Sequence, residues 1–261
     1  MNYEFCAQTH PGLLRGNNED AVTFDEACGM GVLADGMGGY NAGEVASSMA
    51  TSFIRAELGR WLTEAGQHAN SKEIRRAMDI CVHNANLAVF NAALANASYA
   101  GMGTTLVVGV FQVGKLMVGH IGDSRCYRMR QQKLVQITKD HSLLQEQLDA
   151  GLITQEQAAT STHRNLVTRA LGIEELVPLE VNEFAVEVGD VYLMCSDGLS
   201  DMVDDAGIAS VMATDATLDQ KARQLVSTAN AHGGRDNITV LLVQALAGSK
   251  NRSLMARLLR T

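Results

Sequence analysis

No Cys-x-x-Cys pair, no Gly-x-Ser-x-Gly elbow and no His-Glu-x-x-His helix occurs in these 261 residues, and no cysteine is followed six positions later by arginine. These absences remove the usual serine-hydrolase, zinc-protease and cysteine-nucleophile sites. The five cysteines, at positions 6, 28, 81, 126 and 195, are odd in number and lie in or beside apolar segments. They read as reduced core residues, which fits a cytosol better than an oxidising compartment. No stretch is long and apolar enough for a bilayer-spanning helix, and Met1-Asn2-Tyr3-Glu4-Phe5 lacks the basic start and apolar centre of a secretory signal. The chain is also short of positive charge: its formal net charge of -8 leaves no footprint for nonspecific nucleic-acid binding. The expectation is a cytoplasmic monomer without nucleic acid or membrane span.

What the chain does have is aspartate at the ends of oily runs. Val32-Leu33-Ala34 stops on Asp35, Val118 to Gly122 on Asp123, and Tyr192 to Ser196 on Asp197, while Asp236 stands just before the run Ile238 to Val243. Such runs read as buried strands, which places the four carboxylates at strand ends beside the core. Gathered there, anions repel one another and resist desolvation unless cations lie among them. All-oxygen ligands suit magnesium, manganese or calcium.

Short strands are predicted at Tyr3 to Gln8, Ala21 to Phe24 and Met30 to Ala34. Two proline-free helices follow, from Gly43 to Leu62 with Val45, Met49, Phe53 and Ile54 as apolar positions, and from about Ser71 to Ala97 with Ile74, Met78, Cys81, Leu87, Val89 and Leu94. A strand meander covers Thr104 to Gln112, Lys115 to Ile121, Arg125 to Arg130 and Leu134 to Ile137, with turns short enough for antiparallel pairing. Residues His141 to Gly172 are polar and Gln-, Thr- and Ala-rich, the signature of a mobile insertion. Strands at Val181 to Val186, Val191 to Cys195 and Ile238 to Ala245, with helices at Asp204 to Met212 and Leu218 to Ala231, complete one interleaved domain over 1–247. The basic tail from 248 to 261 carries Leu254, Met255, Leu258 and Leu259 at helical spacing and reads as a surface-packed or frayed terminal helix, with a docking segment for a partner or acidic lipid as the alternative.

Two local matches mislead. Gly109-x-x-x-x-Gly114-Lys115 lacks the Ser or Thr of a phosphate-binding loop, since Leu116 follows, and its interior is strand-like. The seven histidines are scattered, with His120 read as a strand residue and His141 and His163 placed on the insertion; zinc is not expected. Alone, Arg15-x-x-Asn18-Glu19-Asp20 would be a surface ion-pair cluster and Asp35-Gly36 a hairpin turn.

As an ordered set, Arg15 to Asp20, Asp35-Gly36-x-Gly38-Gly39, Gly103-Thr104-Thr105, Gly122-Asp123-Ser124-Arg125, Ser196-Asp197-Gly198 and Asp236-Asn237 resemble the PP2C family of metal-dependent protein serine/threonine phosphatases, in its bacterial branch. The resemblance implies an α+β fold, a four-layer α/β/β/α sandwich of two mainly antiparallel sheets flanked by helices. It implies two Mn2+ or Mg2+ ions and room for a third, with Asp35 bridging, Gly36 offering its carbonyl, and Asp197 and Asp236 completing the second ion. Glu19 and Asp20 would act through bound water, Asp123 with Asp197 would form the third site, Arg15 would hold the substrate phosphate, and 141–172 would be the flap.

The implied activity is hydrolysis of phosphoserine and phosphothreonine in proteins by a hydroxide held between cations, opposing a Ser/Thr kinase. The alternatives are a phosphoprotein-binding module without turnover and a small phosphate-ester hydrolase. One departure stands out: Met37 occupies the place of a proton-donating histidine in many eukaryotic members, so proton delivery would fall to bound water.

Overall fold

Each of the oily runs becomes a strand, because uninterrupted Val, Ile, Leu and Met sequences can hide both faces only inside a layered sheet. The computed structural model describes residues 1–39, 42–65, 69–154, 157–158 and 166–248. One sheet contains β1 (Asn2–His10), β7 (Arg125–Arg130), β8 (Lys133–Gln136), β10 (Val191–Cys195) and β11 (Ile238–Leu246) in the order β1-β11-β10-β7-β8. The other contains β2 (Asp20–Asp25), β3 (Met30–Met37), β5 (Leu106–Gln112), β6 (Lys115–Ile121) and β9 (Glu180–Ala185) in the order β2-β3-β5-β6-β9, with the short β4 (Gly103–Thr104) attached to β3. All of these pairings are antiparallel.

Between the sheets, Leu33, Val107, Leu116 and Val118 meet Cys126, Tyr192, Met194, Leu241 and Val243 in a dry layer capped by Phe5 and Phe111. Helices α1 (Ala42–Ala65) and α2 (Ser71–Ala95) cover the outer face of the second sheet. Helices α5 (Asp205–Met212) and α6 (Leu218–Ala231) cover the first. Between these pairs in sequence lie α3 (Leu143–Asp149) and the one-turn α4 (Asp197–Ser200). The expected four layers are present.

The helices begin where side chains can replace missing backbone partners. Asn70 accepts from the amides of Lys72 and Glu73 while Glu73 bonds back to the Asn70 amide, a capping box that starts α2. Thr217 and Gln220 do the same for α6. The buried stripe of α1 differs from the expected one: Ala46 and Ala50 pack with Val89 of α2 and with Met102, while Ile54, Leu58 and Leu62 join the core over the sheet, and Val45, Met49 and Phe53 are half-buried beside them. Small residues at this contact let α1 and α2 approach closely, so the larger side chains fill the edges. Leu94 of α2 is exposed instead of buried, one residue short of the helix end.

Two boundaries bear on the site. β3 does not stop before Asp35 but continues to Met37, because Gly36 and Met37 pair with Thr104 and Gly103 of β4. Asp35 therefore sits within a strand, not at its end. The expected strand from Thr104 to Gln112 is broken at Thr105, whose amide and hydroxyl are taken by the Asp35 backbone. His163 and the tail beyond Gly248 lie outside the described residues.

Candidate active site

Residues from both sheets meet at one end of the sandwich around a cleft of about 240 Å³, lined by Arg15, Glu19, Asp35, Gly36, Met37, Gly38, Thr105, Asp123, Val167, Asp197 and Asp236. Seven of the eight residues singled out in the sequence line this cleft; the eighth, Asp20, is directly behind it as the cross-strand partner of Asp35. Volume alone does not mark the site. A larger groove of about 830 Å³ between α1 and α2, walled by Phe53, Trp61, Ala77 and Ile80, shares no residue with the cleft.

Asp35 is held through its own backbone. The Asp35 amide donates to Thr105 Oγ1 at 3.0 Å, and its carbonyl accepts from the Thr105 amide and from Thr104 Oγ1, both at 2.9 Å. Gly36 lies flat against Gly43 at the start of α1, and a Cβ on Gly43 would come within 2.8 Å of Glu19 Oε2. Two glycines are thus required for strand, helix and acidic loop to converge. Asp197 opens α4 immediately after β10, and Asp236 precedes β11.

Asn237 was not given a role by the sequence, although it fixes the loop that carries Arg15 and Glu19. Its Oδ1 accepts from the Glu19 amide at 2.7 Å, and its Nδ2 donates to the carbonyls of Asn17 and Pro11 at 2.8 and 3.0 Å. The only signal available was its position next to Asp236. Ser196 is similar: its hydroxyl donates to Asp20 Oδ2 at 2.8 Å and accepts from the Thr239 amide at 3.0 Å.

The electrostatics are those of an anion cluster. Burial, followed by repulsion from Asp20, Asp197, Asp123 and Asp236, drives the Asp35 carboxyl well above its ordinary range. Burial and then Asp123, Asp201 and Asp236 do the same to Asp197. Burial pushes Asp20 up to about 6 despite hydrogen bonds from Thr239 and Ser196, and pushes Asp123 up to about 6 with Asp140 adding to it. Arg15 Nη2 is 2.6 Å from Asp236 Oδ2, with the two side chains 51% and 32% exposed, so this cation is at the rim and does not neutralise the interior acids. Asp20 Oδ1 is buried without a hydrogen-bond partner. An unpaired buried oxygen among acids that resist ionisation fits oxygen-ligated divalent cations.

The histidines are less scattered than their sequence positions imply. His120 and His141 stack with ring centroids 4.6 Å apart and planes 10° from parallel, and with Glu180 their ligand atoms lie within 4.8 Å of one another. Parallel rings keep their in-plane lone pairs in separate planes, and Arg169 Nη1 is 3.3 Å from His141 Nε2. The trio is a hydrogen-bonded stack, not a metal centre like the carboxylate cleft.

A sequence profile described as protein phosphatase 2C matches residues 16–242. The chain belongs to the protein phosphatase 2C family. Among members, it is 35% identical over 255 residues to the serine/threonine phosphatase stp of Listeria innocua, covering 97% of this chain and 99% of that one. The crystal structure of the Mycobacterium tuberculosis serine/threonine phosphatase PstP/Ppp superposes with a TM-score of 0.87 at 34% identity, covering 95% of this chain and 100% of that one. A structure of the PstP catalytic domain in complex with two manganese ions gives 0.83 at 34% identity, over 94% and 99% of the two chains. The α/β/β/α sandwich is the fold of this phosphatase 2C family.

Proposed function

We propose that the cleft hydrolyses phosphoserine and phosphothreonine in proteins, using Mn2+ or Mg2+. The observation that carries this reading is the convergence of Asp20, Asp35, Asp123 and Asp197, all driven above their ordinary range, on a cleft with Arg15 at its rim. Asp35, the Gly36 carbonyl, Asp197 and Asp236 are the groups that would hold two ions; Asp123 with Asp197 would serve a third, and Glu19 and Asp20 would orient water. When bound, such ions acidify water and offset the charge of a phosphoryl transition state.

The chain's own residues do the rest. Thr104 and Thr105 hold Asp35 in register, and Asn237 holds the Arg15–Glu19 loop against it. Arg15, exposed at the rim, is placed to receive phosphate oxygens with its planar fork of donors. Met37 has no proton to give, so the leaving alkoxide takes its proton from water ordered by the acids.

The same reading takes 1–247 as one catalytic unit with 141–172 as a flap. Its support is Val167 at the cleft wall and the pairing of β1 with β11 along their full length. It also takes the protein as a cytoplasmic monomer opposing a Ser/Thr kinase. The five free cysteines fit a reducing compartment, and among the described residues no helix is long and apolar enough to cross a membrane.

The test is phosphate release from a phosphothreonine peptide by chelator-stripped protein, with and without Mn2+, beside Asp236→Asn. Mn2+-dependent release that the variant lacks is expected. Release without metal, or full activity in the variant, refutes the assignment. Turnover of small phosphate esters but not phosphopeptides would move the substrate class.

A further inference from the structure

We infer that His141 is a positioning residue: it grips the Gly122 peptide from both sides, so fixing the Asp123 carboxylate in the cleft and tying it to the base of the 141–172 segment. The inference rests on the reading of Asp123 as an ion ligand.

The grip consists of two bonds. The His141 amide donates to the Gly122 carbonyl at 2.9 Å, and the Gly122 amide donates to His141 Nδ1 at 3.1 Å. Gly122 is at φ +99°, and a Cβ there would stand 2.7 Å from Thr105 Cγ2, so the turn is pressed against Thr105 on one side and held by His141 on the other. One residue later, Asp123 has little freedom to aim elsewhere. Ser124 Oγ pairs with Thr105 Oγ1 at 2.8 Å, and Thr105 Oγ1 also receives the Asp35 amide, which joins this turn to the strand of Asp35.

The tautomer follows from the partners. Because an amide donates to Nδ1, that nitrogen has no proton and the ring hydrogen is on Nε2; of the two groups 3.3 Å from Nε2, only Glu180 Oε2 can accept it, and Arg169 Nη1 is then a neighbour without a hydrogen bond to the ring. Burial, then the neighbouring His120, and later Arg169, hold His141 below its ordinary value and so keep it neutral. His120 Nε2 lies 2.8 Å from the Lys139 carbonyl and must donate to it, which orients the ring stacked on His141.

The other end of the lever is the insertion. The His141 carbonyl accepts from the Thr168 amide at 2.8 Å, Ser142 bridges to Val167, and the Leu143 amide donates to the Leu166 carbonyl at 2.9 Å. Val167 itself lines the cleft. A displacement of either root of the segment therefore reaches Asp123 through a single side chain and its backbone.

The test compares His141→Asn, which keeps an acceptor at the δ position, with His141→Leu, which keeps bulk but no acceptor. Chelator-stripped full-length chains are titrated with Mn2+ by calorimetry, and Gly122 amide exchange is followed by NMR. In His141→Leu the weakest Mn2+ binding event should weaken by about tenfold or more, the scale of losing an outer-shell ligand support, with the tighter events unchanged and His141→Asn within about threefold of wild type. The Gly122 amide should exchange faster only in the leucine variant. If that variant does not fold, His141→Gln, whose acceptor sits one bond further out, carries the same expectation.

Equal Mn2+ affinities in wild type and His141→Leu, or equal losses in the leucine and asparagine variants, overturn the role. Wild-type protein that takes up no Mn2+ overturns the metal reading as well, which separates the two failures.

Discussion

Asp20 and Asp35 face each other directly across the β2–β3 ladder. Like charges in that position destabilise a sheet, and here both are also withdrawn from water. The pair is tolerable in two ways only: a shared proton, or a cation. A metal-free chain has to use the first.

Replacing one partner separates stability from function. Asp35→Asn should raise the melting temperature of the metal-free protein by several degrees, because it removes a buried like-charge interaction, at about 2–4 °C per kcal/mol for a chain of this size. The same change should lower Mn2+-dependent phosphate release by about 10²-fold or more, the order seen when a preorganised charge-stabilising group is lost. Thermal melts in chelator and a phosphopeptide assay measure the two halves independently.

The pH dependence has a definite sign. Asp20 and Asp123 sit near 6 in the folded chain, above their unfolded values, so the fold binds more protons than the unfolded chain between about pH 4 and pH 6. Metal-free stability contributed by these groups falls as pH rises through that window, and the deficit persists above it. Asp35 and Asp197, raised further, extend the fall. The melting-temperature advantage of Asp35→Asn should therefore grow from about pH 5 to about pH 7 in chelator, and saturating Mn2+ should abolish it.

Asn237→Ala breaks three hydrogen bonds to backbone at once. With net values near 1 kcal/mol each and buried groups left unpaired, a loss of about 2–4 kcal/mol is expected. Because the freed loop carries Arg15 and Glu19, the half-saturating Mn2+ concentration should rise as well. Denaturant melts and a metal titration of activity check both.

Arg15→Lys is a test of geometry. A point charge keeps attraction to phosphate but loses the planar fork, so KM for a phosphopeptide should rise by about tenfold with a smaller change in kcat. A fall in kcat with KM unchanged would place Arg15 in the reaction step instead.

Most strands were legible because hiding apolar side chains is a local demand, and β6, β7 and β10 have the bounds that the sequence predicts. What escaped was set by distant partners. Asp35 lies inside β3 because β4, seventy residues on, extends the ladder past it. Alanines carry the first half of the buried stripe of α1 because Val89 of α2 and Met102 press against them, a fact that composition does not reveal. The acids were readable as acids next to oily runs, whereas Asn237, Ser196 and His141 act by bonding to remote backbone or acids and have no marker of their own in the chain.

The pairing of β1 with β11, residue by residue from Asn2↔Leu246 to His10↔Ile238, sets a timetable for the nascent chain. Asp236 and Asn237 leave the ribosome after every other acid of the cleft, and the first strand waits for β11 with an open edge. Such a topology has high contact order and folds slowly, with the N-terminal strand exposed to mispairing meanwhile. It also means that the acid cluster stays incomplete until the last strand has emerged, so catalytic competence arrives in one step.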